Sequence, residues 1–298
     1  IEARLADADA PALERLIGRP GLIDGLLGSP FSASVSVEKP RSRLEEFIIA
    51  QVDSPRLKTS PIRLGRNADK TAISLLAPLN LTLNPTRAWL DRYALGEGDP
   101  NARVRVDGDV SMTAEINRLI LGGADRPLDP AFFDVSAIAE IPSLTLVTRE
   151  GQRETVNNLK LGATKGDAPG SLNIKLTADD EKRAQIVYAD LNMADLLSPE
   201  GQVDREHARI TGVIKGEVPT LLVDTMMGQK GLLVDTLGED SNAELTLTNV
   251  SMRADTGSIA MSMNSNNAGL VLNGDIRNGV LFATGSPNAR MGVITEAA

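Results

Sequence analysis

The side chains that carry most enzyme chemistry are scarce in this sequence of 298 residues. Cysteine is absent, which excludes disulfides, thiolate metal sites and cysteine nucleophiles. Histidine occurs once, at His207, in a charged stretch with no candidate nucleophile, as is typical of a surface residue. Motifs for a nucleophile elbow, a zinc protease, a phosphate-binding loop or a dinucleotide site are also absent. We therefore expect no enzymatic activity, no metal and no cofactor.

Two groups of carboxylates have spacings that could support acid–base hydrolysis or cation binding. Asp107 and Asp109 lie two residues apart, and residues 179–181 form an acidic run before Lys182. The first pair lies on the polar side of an alternating pattern and lacks the residue order of an EF-hand loop. The second precedes basic residues, as in a charged hairpin tip. We interpret both as solvated surface, and an acidic-pair hydrolase ranks third among our hypotheses.

The composition excludes several partners. Hydrophobic residues make up 42% of the chain, enough for a sizeable core, but aromatic residues only 3%, which argues against an aromatic ligand cage. The net charge of −9 would repel a phosphate backbone, so nucleic acid is not an expected partner. The sequence has no charged-then-apolar leader and no apolar run long enough to span a bilayer. Any signal or membrane anchor is therefore expected outside this sequence.

Period-two alternation of apolar and polar residues predicts strands along most of the chain. The longest run extends from Val104 to Ile116, and we expect it to form one long strand. Similar runs include Leu172 to Leu176 and Ile259 to Met263. One apolar and one polar face are typical of an antiparallel sheet with one side in water. The fold class is thus mainly β, with an extended and mostly antiparallel sheet.

Short helices and turns interrupt these strands. The stretch from Pro11 to Gly28 predicts a helix, a break and a second helix, because its leucines and isoleucines recur at helical spacing around a Gly-Pro-Gly interruption. Two more helices are predicted from Thr86 to Tyr93 and from Asn192 to Leu197. Asn273-Gly274 predicts a turn. Trp89 and Tyr93, four residues apart, are expected to pack a helix on the sheet.

An internal repeat is indicated by two similar segments. Residues 18–28 and 228–238 share the pattern GxxGLhxxxLG, in which h is apolar, at an offset of 210 positions. Ala33 to Val37 and Ala243 to Leu247 then match at the same offset. We expect a first unit over 11–220, and over 221–298 the start of a second, truncated unit. The parent protein is therefore expected to continue, as in arrays that stack incomplete units.

This pattern resembles the AsmA-like and TamB-like envelope proteins of bacteria. The resemblance depends on the segment from Val218 to Gly238, its counterpart from Pro11 to Gly28, and strands such as Ala102 to Ile116. It implies a curved sheet whose apolar concave face forms a β-groove for lipid chains, usually behind an N-terminal membrane anchor. It also implies a periplasmic or cell-envelope location, lipid or membrane components as partners, and a role in lipid transport and outer membrane biogenesis.

Our leading hypothesis is a non-enzymatic segment whose apolar strand faces line a groove that accommodates or transfers lipid. The expected lining residues are Val104, Val106, Val110, Met112, Leu172, Ile174, Leu176, Met261 and Met263. Methionines on such a face would give a soft, adaptable lining. The alternative is a structural or adhesive β-repeat array with closed cores and no small ligand. Alternation alone is the same for a groove and for a closed sandwich.

Overall fold

Strands dominate the structure, a computed structural model that describes residues 2–38, 46–66, 71–90, 92, 104–123, 125–148, 151, 153–179, 186–219, 235, 240–265, 268–284 and 288–291. Within these ranges, 19 strands form one sheet, accompanied by three short helices. The prediction of a mainly β chain with a large antiparallel sheet and a few short helices is confirmed.

The helices are α1 (Ala10–Ile17), α2 (Leu22–Leu27) and α3 (Arg87–Trp89). The strands that precede the middle of the chain are β1 (Glu2–Ala8), β2 (Phe31–Glu38), β3 (Glu46–Asp53), β4 (Leu57–Thr59), β5 (Ile62–Arg66), β6 (Ala72–Leu75), β7 (Leu79–Leu83), β8 (Val104–Asp107) and β9 (Met112–Gly122). The strands that follow are β10 (Asp134–Thr148), β11 (Arg153–Lys165), β12 (Leu172–Asp179), β13 (Val187–Ala194), β14 (Arg209–Pro219), β15 (Asp240–Ser251), β16 (Thr256–Ser265), β17 (Ala268–Arg277), β18 (Val280–Ala283) and β19 (Asn288–Met291).

The sheet is a meander in which neighbours along the chain pair antiparallel. From β9 to β17, each strand pairs with the next one. Strand β10 pairs with β9 through its first half and with β8 through its second half, so β8 and β9 are two pieces of one broken strand. Antiparallel pairing of neighbours suits the alternating sequence, which is typical of a sheet with one side in water.

The long strand predicted from Val104 to Ile116 is broken. Strand β8 ends at Asp107, and β9 begins only at Met112. Gly108 has a φ of 86°, a left-handed conformation that glycine adopts without steric cost but that an extended strand does not contain. The glycine therefore interrupts the run despite its regular alternation.

Two local predictions are wrong. Asn192 belongs to β13, and Leu197 forms an isolated bridge with Val203, so the predicted helix from Asn192 to Leu197 does not form. The period-two pattern of β13 outweighs the weak helical spacing there. The predicted turn at Asn273-Gly274 lies inside β17, and the chain turns instead after that strand, where Gly279 has a φ of 73°.

The helical predictions near the start of the chain hold. Helices α1 and α2 are separated by a break that contains Gly18, whose φ of 67° ends α1. Of the helix predicted from Thr86 to Tyr93, the three residues of α3 are helical, and the Thr86 hydroxyl accepts the Trp89 N–H at 3.2 Å. Tyr93 lies outside the described residues.

A small core joins α1 and α2 to the first strands. It consists of Ala8, Ala10 and Phe31, with Leu13, Ile23 and Leu27 packed against it. These residues come from α1, α2, the end of β1 and the start of β2. The helices therefore cap one end of the sheet.

The repeat stays a prediction. Strands β1 and β2 pair antiparallel across the α1–α2 segment, and β14 and β15 pair antiparallel across residues 220–239. The matched segments 33–37 and 243–247 lie in β2 and β15. The second helical segment, 228–238, falls outside the described residues apart from position 235. The two proposed units at least share one sheet, because β14 and β15 pair across their boundary.

Burial is shallow along the strands of the described ranges. The buried hydrophobic residues of the described part are few, and several are alanines near strand ends. The large side chains along the middle of the strands are therefore only partly buried.

Candidate functional site: the apolar face of the sheet

The strand register gathers apolar side chains on one face of β12 to β17. Residues paired directly across neighbouring strands point to the same side, and every second residue of a strand does so too. Three cross-strand rows result, which together we call the apolar face. The rows are Ile174, Leu191, Gly212, Leu247 and Ile259; Leu176, Ala189, Ile214, Leu245, Met261 and Leu272; and Ala178, Val187, Gly216, Ala243, Met263 and Leu270.

Five of the residues predicted to line a groove belong to this face or adjoin it. Leu176 and Met261 occupy one row, although they lie 85 positions apart in the sequence. Ile174 and Met263 lie in the rows on either side of it, and Leu172 pairs with Met193 at the edge of the face. Regular antiparallel pairing through β13, β14 and β15 brings these residues together.

The other four predicted residues lie in a different part of the sheet. Val106 and Val110 are only 2% and 4% exposed, so they have a packing role and offer little surface to a ligand. Met112 is partly buried and pairs with Leu83. Val104 begins β8 and pairs with Thr148. The accessible part of the candidate site therefore lies on β11 to β17.

Sequence reasoning missed the contribution of β13. Ala189, Leu191 and Met193 all point to the apolar face, but the helix predicted from Asn192 concealed their pattern. The alternation of these residues with Tyr188, Asp190 and Asn192 is the signal that identifies the strand.

Most side chains of the apolar face are partly buried, and only its small residues Ala178 and Ala189 are buried to 5% exposure or less among the row members that the structure describes. Leu161 on β11 extends the row of Leu176 and is 43% exposed. The described strands all belong to one sheet, and α1, α2 and their small core lie beside β1 and β2. A contiguous apolar face is a candidate site for contact with lipid, another apolar ligand or a partner.

Two glycines shape the middle of the face. Gly212 and Gly216 lie on either side of Ile214 on β14 and leave gaps in two of the rows. A Cβ on Gly212 would overlap the Asp190 carbonyl oxygen and lie 2.8 Å from Leu191 Cα. Only a residue without a side chain allows β13 and β14 to approach this closely.

The opposite face of the same strands is polar. Lys175 Nζ lies 3.4 Å from Asp190 Oδ2, and the Tyr188 hydroxyl donates to the same oxygen at 3.1 Å. The Lys215 ammonium lies 5.3 Å from the centre of the Tyr188 ring. These contacts pair charges on a hydrated surface, where each contributes little to stability. The face of β12 to β14 opposite the apolar rows therefore carries paired charged and polar side chains.

Residues with catalytic potential do not assemble into a reactive site in the described part of the chain. His207 is 73% exposed, and its Nδ1 lies 2.8 Å from Asp204 Oδ2. The backbone N–H of His207 donates to Asp204 and is the main cause of the lowered pKa of that carboxyl. Asp107 contacts arginines, and Asp179 accepts from Asn158 Nδ2 at 3.0 Å. Within the described ranges, no three His, Asp or Glu side chains form a group that could hold a metal ion.

Comparisons of the chain with protein-family models, curated proteins and solved structures find no match. Of the helices in the described ranges, none has the length and apolar character needed to cross a bilayer. The geometry of the apolar face is therefore the main guide to function.

Proposed function

We propose that this chain is a non-enzymatic segment of a bacterial envelope protein whose apolar face accommodates or transfers lipid. The observation that carries the proposal is the continuous apolar face across β12 to β17, in a chain whose described strands all belong to one sheet. The periplasmic or cell-envelope location follows from the resemblance to AsmA-like and TamB-like proteins. Curvature of the sheet into a groove belongs to the same proposal.

The dimensions of the face suit a hydrocarbon chain. The row from Leu176 to Leu272 crosses five strand spacings, about 24 Å at 4.8 Å each. One leaflet of a bilayer is about 15 Å of hydrocarbon, so an acyl chain can lie along the row. Each methylene removed from water contributes about 0.8 kcal/mol. A single chain would therefore be held by contact area alone, without a specific polar pocket.

The side chains of the face also suit an adaptable apolar ligand. Met261 and Met263 are flexible and polarizable, and they can adjust to chains of different length or saturation. Leucines and isoleucines make up most of the remainder, and ionisable residues are absent from the three rows. Such a lining favours lipids over polar small molecules.

A structural or adhesive array with closed cores is the alternative. It requires a second sheet or helical layer over the same face, because an apolar sheet face must be buried. The single sheet of the described ranges and the exposure of Leu161 favour the open arrangement.

Native mass spectrometry of chain purified without detergent tests the proposal. We expect lipid adducts on the native chain, and their loss in Leu245→Lys, which places a charge in the middle of the apolar face. Thr246→Lys is the matched control, because Thr246 is the next residue of β15 and points to the opposite side. A strictly lipid-free native chain, or equal lipid content in both variants, would overturn the proposal.

A further inference from the structure

We propose that an arginine cluster at one end of the sheet binds a phosphate oxyanion. The cluster consists of Arg87, Arg105 and Arg153 around Asp107, and with Val147 and Gly151 it lines an open cavity of about 330 Å³. This proposal does not depend on lipid binding at the apolar face, because it involves other residues and another type of interaction.

The register places two of the arginines in one row. Val147 on β10 pairs with Arg105 on β8 and with Arg153 on β11, so all three side chains point to the same side of the sheet. Two strand spacings separate the arginine backbones by about 10 Å. Both side chains are long enough to reach a small anion above Val147, which itself presents no polar group.

Asp107 forms ion pairs with two arginines of the cluster. Its Oδ1 lies 3.5 Å from Arg87 Nη1, and its Oδ2 forms an ion pair with Arg153 Nη2. One carboxylate thus fixes two guanidinium groups, each of which carries five N–H donors. Arg105 forms no ion pair with the described residues, although it lines the same cavity.

The charge of the cluster is opposite to that of the protein. Three arginines and one aspartate leave a net charge of +2 among the described lining residues, whereas the whole chain carries −9. Arginines held this close repel one another, and an anion between them relieves that repulsion. The cluster therefore attracts an anion even though the protein as a whole repels one.

A phosphate group suits this geometry better than a second carboxylate. Its several oxygens can accept from two or three guanidinium groups that approach from different sides, whereas one arginine already satisfies a carboxylate bidentately. The Arg153 side chain is 67% exposed, so the site is open to solvent and can admit a phosphate on a larger molecule. Binding at such an exposed site should weaken as salt rises.

Titration of the full chain with inorganic phosphate, followed by calorimetry at low ionic strength, tests this inference. We expect phosphate binding that is about a hundredfold weaker or undetectable in Arg105→Gln/Arg153→Gln, since each of the two lost charge-assisted contacts lowers affinity about tenfold. Arg277→Gln is the matched control, because Arg277 is also exposed and paired with an aspartate, 3.4 Å away, but lies outside the cluster. Arg105→Gln alone breaks no described ion pair and repeats the test without disturbing Asp107.

Vesicle flotation identifies the source of the phosphate. Preferential binding to phosphatidylglycerol vesicles over phosphatidylcholine vesicles, lost in Arg105→Gln, would indicate a lipid headgroup. Binding of free phosphate without vesicle binding would indicate a soluble phosphate compound. Native chain that binds neither probe, or an arginine double variant that binds like the Arg277→Gln control, would overturn the inference. Lipid adducts in the Arg105 variant would separately show that the apolar face still functions.

Discussion

Glu14 on α1 anchors the start of α2 through Asp24. The Glu14 carboxylate accepts the backbone N–H of Asp24 at Oε1 and that of Gly21 at Oε2, both at 2.7 Å. The first N–H groups of a helix lack acceptors within the helix. The Glu14 carboxylate, on the preceding helix, provides acceptors for two of these groups. Glu14 is 6% exposed, so this contact between the two helices is buried.

Replacing Glu14 should destabilise the end of the sheet that α1 and α2 cap. Glu14→Ala leaves two N–H donors of α2 unsatisfied, and we expect a loss of about 2–3 kcal/mol in the free energy of unfolding. Urea denaturation followed by circular dichroism measures it. Glu200→Ala, in an exposed turn, is the control and should change stability by less than about 0.5 kcal/mol. Equal effects of the two substitutions would refute this role of Glu14.

The same contact should make stability depend on acid pH. Burial raises the pKa of the Glu14 carboxyl, but hydrogen bonds from the N–H groups of Asp24, Gly21 and Ile23 lower it more, to a value below the usual 4.5. A carboxyl with a lowered folded-state pKa stabilises the protein fully above its unfolded-state pKa, and this contribution is lost as pH falls through the folded-state value. The stability difference between native chain and Glu14→Gln should thus be constant near pH 7 and shrink below pH 4.5. A difference that grows on acidification would contradict this assignment.

Gly212 should be intolerant of any side chain. Its φ of 153° and the overlap of a Cβ with the Asp190 carbonyl predict that Gly212→Ala forces β13 and β14 apart. We expect a loss of about 2–4 kcal/mol, as for other substitutions that strain a packed backbone. Gly162→Ala on β11 is the control, since the nearest atom to its Cβ would be 3.9 Å away. Thermal unfolding of the two variants tests this prediction. Similar unfolding midpoints would contradict the close approach of β13 and β14 at Gly212.

Charge on the apolar face should be tolerated by the fold. If the apolar face is open, the lysine of Ile174→Lys, at a position that is only partly buried, can extend its ammonium into water, and we expect a cost of about 1 kcal/mol or less. Val106→Lys buries an unpaired charge at a residue that is 2% exposed, and should cost several kcal/mol or prevent folding. Chemical denaturation compares them. If Ile174→Lys unfolds the chain as Val106→Lys does, the face is a closed core and the structural-array alternative gains support.

The strands were predictable because their side chains alternate. The alternating positions of Leu172, Ile174 and Leu176 predict that they share one face of a strand, and they lie on one face of the sheet. The interruption at Gly108 was not predictable from alternation, since the pattern continues across it and the φ of the glycine is a tertiary outcome. The Asn273-Gly274 pair was misread as a turn because a local signal cannot reveal that its neighbours pair on both sides.

The arginine cluster was beyond sequence reasoning. Arg87, Arg105 and Arg153 are separated by 18 and 48 positions, and only the register of β8, β10 and β11 shows that they share a cavity. Asp107 was interpreted as a solvated residue of a strand, because its arginine partners are remote in the sequence. The contact between Glu14 and α2 was missed because a glutamate on a short helix gives no signal of burial.

Photocrosslinking at two adjacent residues of β11 tests the central claim most directly. Leu161 points to the apolar face and Lys160 to the polar face, where its Nζ lies 2.9 Å from Glu140 Oε1. Both are exposed, so p-benzoylphenylalanine can replace either one with little effect on folding. On irradiation in cells or with lipid vesicles, we expect a lipid adduct at position 161 and none at position 160. Equal adducts at the two positions, or no lipid adduct at position 161, would contradict a lipid-binding apolar face.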